Sequence, residues 1–142
     1  MSEKKPEFSI TSRWTPKLAA KFCPVSSFFL ANYHRLQPLP GARCLSSSEA
    51  MLLIQILDHK WTVKAPFPAV ATLAKRMGIS TRAVRSNLRS LETSGYLRRE
   101  FRSNGKTSLY HLDGLYAALE QLFDEDEAKR ALVSASAVTE AA

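Results

Sequence analysis

The chain is short of the residues that build covalent or metal-bound frameworks. Its 142 residues include two cysteines, Cys23 and Cys44, and three histidines, His34, His59 and His111. Two cysteines without ligand spacing allow one bridge at most, so the sequence reads as reduced thiols in a cytosol. The histidines have no metal spacing among themselves, and neither a Gly-rich phosphate loop nor a nucleophile motif is present. Neither an enzyme nor a bound metal or other cofactor is expected. Long apolar runs are missing too, since spanning a bilayer needs about 18 to 20 such residues. The opening segment MSEKKPEFSITSRW has lysines with no apolar run behind them, which excludes a secretory signal. A soluble, cytoplasmic protein with no membrane partner is the expectation.

What is present is a core-forming composition, 45% apolar and 23% charged, which at this length fits one domain with tails. Acidic residues are nearly absent from one stretch. Between Lys75 and Lys106 stand nine basic residues (Lys75, Arg76, Arg82, Arg85, Arg89, Arg98, Arg99, Arg102, Lys106) against two acidic ones, Glu92 and Glu100. The whole net charge of +7 therefore sits in this stretch, and the rest of the chain sums to zero. Such concentration suits a polyanion-binding face, because each phosphate contact releases condensed counterions. A merely solvated basic surface is the alternative.

Periodicity places these charges on elements. Residues 1–13 are polar and aperiodic and read as a flexible arm, and residues 14–44 as a helical extension. In that extension Thr15-Pro16 has the form of a helix start, with Leu18, Ala19 and Phe22 at helical spacing. A short amphipathic helix follows around Phe28, Phe29, Leu30 and Tyr33, closed by the loop Gln37-Pro38-Leu39-Pro40-Gly41. Ser46 to Glu49 starts a central helix in which Met51, Leu52, Ile54, Ile56 and Leu57 are expected to be buried. A short helix then ends at Gly78, the natural residue for a left-handed terminus. Ile79 plugs the corner, and Ser80 caps a helix from Thr81 to about Thr93 with Val84, Leu88 and Leu91 inward. Arg82, Arg85, Ser86 and Arg89 occupy the opposite face. The runs YLRREFR and TSLYHL flank Ser103-Asn104-Gly105-Lys106, where Asn-Gly suits a two-residue primed turn. A last helix carries Leu115, Leu119, Leu122 and Phe123, and residues 124–142 are expected to fray.

Two helices joined by a tight turn at Gly78 and followed by a hairpin resemble the winged helix-turn-helix. The expected fold class is therefore mainly α with a small β-hairpin, with the winged module over residues 45–123. The segment FPAVATLAKRMGISTRAVRSNLRSLETSGYLRREFRSNGKTSLYHLDGL is similar to helix-turn-helix DNA-binding proteins of bacterial, phage, plasmid and mobile-element origin. RWTPKLAAKFCPVSSFFLANYHRL upstream is similar to their N-terminal parts, some related to replication initiators. The family commonly has serine where this chain has Ala69, so a cap or phosphate contact there is not expected. By matching position the resemblance implies Thr81, Arg82, Arg85, Ser86 and Arg89 as DNA-binding residues of a recognition helix. The basic wing, about residues 102–107, adds Arg102, Asn104 and Lys106, and Lys75 and Arg76 precede the turn. Arginine grips guanine O6 and N7 with two hydrogen bonds, which favours Arg82 and Arg85 for reading bases and leaves Arg89 to phosphate. An ion pair with Glu92 is the competing use of Arg82 and Arg85.

The implied function is sequence-specific double-stranded DNA binding in transcriptional regulation or replication control of a mobile element, with a homodimer as a candidate assembly. A winged fold used for protein interaction, or a single-stranded nucleic-acid or RNA binder, are the alternatives. Phe28, Phe29 and Trp61 are the aromatics that such a binder would stack on bases, although their apolar surroundings favour packing.

Overall fold

A computed structural model describes residues 9–141. In chain order it contains α1 (Ile10–Trp14), α2 (Ser27–Asn32) with a 3-10 turn at Tyr33–Arg35, and α3 (Ser47–Leu57). Then follow α4 (Val70–Met77), α5 (Thr81–Thr93), β1 (Arg98–Glu100), β2 (Leu109–His111) and α6 (Asp113–Ala141). Helices α3, α4 and α5 pack mutually, and the hairpin and α6 close the same core. This is the mainly α, winged helix-turn-helix fold expected from the sequence. None of the described helices is long and apolar enough to cross a membrane.

Helix α3 begins with a reciprocal capping box. Ser46 Oγ accepts the Glu49 N–H at 3.1 Å, and Glu49 Oε1 accepts the Ser46 N–H at 3.2 Å, which satisfies two backbone donors that the helix start leaves open. Leu52, Leu53 and Ile56 are fully buried. Met51 was expected among them but is 46% exposed. The apolar run is continuous here, and at about 100° per residue the stripe centred on Leu52, Leu53 and Ile56 turns Met51 outward.

Helices α4 and α5 end in the same way. At the first, Gly78 has φ +68, its N–H reaches Lys75 O at 3.4 Å, and the Ile79 N–H reaches Ala74 O at 3.1 Å. At the second, Gly95 has φ +87, its N–H bonds Glu92 O at 3.1 Å, and the Tyr96 N–H bonds Leu91 O at 3.0 Å. Both are Schellman ends, which need a residue free to adopt positive φ. Between them Ser80 Oγ accepts the Ala83 N–H at 3.0 Å, while Val84, Leu88 and Leu91 are fully buried. Ala69 supplies no side-chain cap to α4.

The hairpin pairs Arg98 with His111, Arg99 with Tyr110 and Glu100 with Leu109. Continued outward, this register converges on Asn104-Gly105, whose φ values of +65 and +71 are those of a type I′ turn. The paired strands are shorter than the runs suggested, because Tyr96 and Leu97 are buried anchors ahead of β1. On the other side of β2 the Tyr110 N–H bonds Pro66 O at 2.9 Å, so the loop before α4 lies along the sheet.

Three expectations are corrected. The helix start at Thr15-Pro16 is not used: Thr15 has φ +80 and ends α1, and residues 16–20 form turns. Proline restricts the residue before it, and Leu18 finds no packing that would stabilise a helix. The arm drawn over residues 1–13 contains most of α1, and its first eight residues lie outside the described region. Residues 124–141, expected to fray, continue α6, since no glycine or proline follows Gly114 and alanine is frequent. Arg35 ties this extension to the N-terminal segment with two bonds to Asp126, at 2.9 and 3.0 Å.

The N-terminal aromatic segment and α6 also cover each other, with Phe28 edge-on to Phe123 at 5.4 Å between centroids. Where α6 starts, Gly114 lies so close to Gly95 that a Cβ on it would stand 1.8 Å from Gly95 O. Gly114→Ala should therefore force the backbone apart and destabilise the fold by about 1–3 kcal/mol. Gly105→Ala, in open space, should show only the strain of its positive φ, about 1 kcal/mol. Thermal melting by circular dichroism checks both, and a Gly114→Ala midpoint equal to that of the parent would contradict the close approach.

Candidate nucleic-acid interface

The buried stripe of α5 determines what its other face presents. With Val84, Leu88 and Leu91 inward, Thr81, Arg82, Arg85, Ser86 and Arg89 are all exposed. Arg82 and Arg89 have no ion-pair or hydrogen-bond partner among the described residues, and Arg85 touches only Thr81 Oγ1, at 3.4 Å. Glu92, the acid that could have neutralised Arg82 or Arg85, instead bonds Arg99 Nε at 2.5 Å. The helix thus offers a row of cations with no internal use.

The orientation of α5 is held by polar contacts as well as by its apolar stripe. Glu49 is buried at the start of α3, and its Oε2 accepts a hydrogen bond from Ser90 Oγ at 3.0 Å, while Oε1 serves the capping box. Asn87 donates to Ser48 Oγ at 3.1 Å. Its amide therefore works between helices.

The other candidates divide. Lys75, Asn104 and Lys106 are exposed, and neither lysine is in an ion pair among the described residues. Arg76 is taken up by Asp58, with His59 Nε2 at 3.4 Å. Arg102 lies across the hairpin, its Nε donating to Thr107 O at 2.6 Å and its guanidinium 5.1 Å from the Phe67 ring centroid. Of the nine clustered cations, Arg76 and Arg99 alone are in ion pairs among the described residues. Arg98, not singled out by sequence, is exposed on β1 without a partner; alternation along the strand was the signal that could have found it.

Elsewhere the polar groups serve structure. His59 Nδ1 lies 2.9 Å from Gln55 O, and His111 Nε2 lies 2.8 Å from Glu100 Oε2. Phe29 is buried, and the Trp61 indole donates to Asp58 O at 2.7 Å. Both cysteines are free, and among the described residues no group of three or more His, Cys, Asp or Glu could hold a metal ion. Burial raises the Cys23 thiol above its ordinary pKa, with Asp58 adding to the shift.

Glu49→Ala would leave the Ser46 N–H and the Ser90 hydroxyl without their acceptor. The expected loss is about 1–3 kcal/mol of stability, measured by urea denaturation, and a variant as stable as the parent would show that this carboxylate does not hold α3 to α5.

Comparison with known proteins agrees with this geometry. Residues 42–97 match the family described as the helix-turn-helix domain. The crystal structure of the N-terminal domain of DnaD protein from Geobacillus kaustophilus HTA426 is similar in fold, with a TM-score of 0.59 and 24% identity. The match covers 84% of this chain and 96% of that one. No curated protein matches. Covering 84% of the chain, the likeness extends beyond the residues of the family match. Two Schellman-ended helices, a type I′ wing and the family match over residues 42–97 together give the centre of this chain a winged helix-turn-helix fold.

Proposed function

We propose that the protein binds double-stranded DNA sequence-specifically, with α5 in the major groove and the hairpin against the flanking backbone or minor groove. The observation that carries this reading is the unpaired row Arg82, Arg85 and Arg89 on a helix whose pose is fixed by its opposite face. Arg82 and Arg85, nearest the N-terminal half of α5, read base edges, and Thr81 and Ser86 contact bases or backbone beside them. Arg89, Lys75, Asn104 and Lys106 contact the backbone. Arg76 and Arg102, already engaged within the protein, contribute field more than direct bonds. A protein-interaction role would need no such localised cationic face.

The process served is transcriptional regulation or replication control of a mobile element, in the cytoplasm, and a homodimer would place two recognition helices on half-sites about one helical turn apart. Arg85→Ala should weaken binding to the specific duplex by about 1–3 kcal/mol and relax base preference at one position. Lys106→Ala should weaken all duplexes alike and reduce the salt slope by about one. A salt titration by electrophoretic shift separates the two effects, and parental behaviour in both variants would remove this face as the DNA-binding surface.

A further inference from the structure

Phe101 follows β1 just before the wing turn, and its side chain is 74% exposed, more than any other phenylalanine or tryptophan among the described residues. The ring is nevertheless held. The Arg99 guanidinium lies 5.5 Å from its centroid, and Arg99 is itself fixed by Glu92 of α5. That ion pair offsets the charge Arg99 could offer a phosphate and leaves it to position the ring. A second pair of this kind joins the hairpin to the loop before α4, where Arg102 lies over the exposed Phe67. On the same hairpin Lys106 near the turn and Arg98, on the strand face opposite Phe101, are cations without an ion pair among the described residues, and the single acid of the hairpin, Glu100, is bonded to His111. The wing therefore combines what a non-base-paired strand requires: cations for its phosphates and an open aromatic face for its bases.

We propose that Phe101 is a stacking platform for an unpaired base, so that the wing takes a DNA single strand running off the duplex gripped by α5. The duplex half rests on the function proposed above; the stacking half rests on Phe101 alone. An unpaired base presents its π-face without disturbing any neighbour, whereas inserting the ring into intact duplex must first unstack a base step. A protein partner could cover the ring, but the net positive charge of the hairpin, with Arg98, Arg99, Arg102 and Lys106 against Glu100, favours a polyanion.

The test is fluorescence anisotropy at fixed salt with three probes. These are a blunt duplex of arbitrary sequence, the same duplex with a thymine overhang of about ten nucleotides at either end type, and the overhang strand alone. The parent protein should bind one overhang duplex at least about fivefold more tightly than the blunt one. Phe101→Ala and Phe101→Leu should abolish that preference while leaving blunt-duplex affinity unchanged, and Phe101→Trp should keep it. Circular dichroism confirms folding in each variant. Equal parental affinity for blunt and overhang duplexes overturns the proposal, as does an equal loss on both probes in Phe101→Ala, which would make the ring a duplex wedge or a structural part of the wing. Arg85→Ala separates the two readings: if it leaves duplex binding untouched while the overhang preference persists, the recognition-helix assignment fails and the stacking site stands.

Discussion

Three parts of the chain meet at Tyr96. Its N–H closes the end of α5 on Leu91 O, its carbonyl accepts the Leu115 N–H at 3.1 Å where α6 begins, and its hydroxyl donates to Leu36 O at 2.8 Å in the loop after α2. The side chain is fully buried, and loss of solvent pushes its hydroxyl pKa up to about 12, so it stays a neutral donor. Remove this residue and α5, the last helix and the N-terminal loop lose their common fixed point. The close approach of Gly114 to Gly95 one position away belongs to the same junction, because α6 can deliver the Leu115 N–H to Tyr96 only if no side chain intervenes.

The charges are sorted by what they touch. Asp58, Glu92 and Asp126 each take one arginine, at the end of α3, beside the wing and on α6. Being partly exposed, such pairs contribute little net stability, but they determine which cations remain available. The acids are placed so that the outer face of α5 keeps none. The concentration of charge seen along the sequence thus becomes a direction in space, with a cationic outer face on α5 and pairing elsewhere.

Much of this was legible because local rules and global packing agreed. Ser80, Gly78 and Asn104-Gly105 are boundary residues whose conformations follow from their own chemistry, and all three boundaries fall where the sequence put them. The inward stripe of α5 was equally clear, since polar residues interrupt it at helical spacing. The site was legible as a set of candidates and less so as a set of free groups: that Arg76 and Arg102 are engaged depends on Asp58 and Thr107, contacts set by tertiary structure. Tyr96 and Gly114 escaped notice because their burial depends on elements distant in sequence. In α3 residues 50–54 form an unbroken apolar run, so Met51 could not be told from its neighbours. Thr15-Pro16 failed because a start signal without a face to bury does not sustain a helix, and the far half of α6 was missed because it is helical through propensity with little apolar patterning.

The paired Schellman ends of α4 and α5 divide conformational entropy unequally between folding and recognition. Backbone freedom around the turn is surrendered when the domain folds, at about 1–2 kcal/mol per residue, so the pose of α5 is settled before any ligand arrives. Arg82 and Arg89, with no partner to restrict them, keep their rotamers until a ligand selects among them, and each long side chain then gives up as much as about 2 kcal/mol. The scaffold is rigid and its exposed cations are loose, a combination that lets one backbone pose sample many arginine geometries.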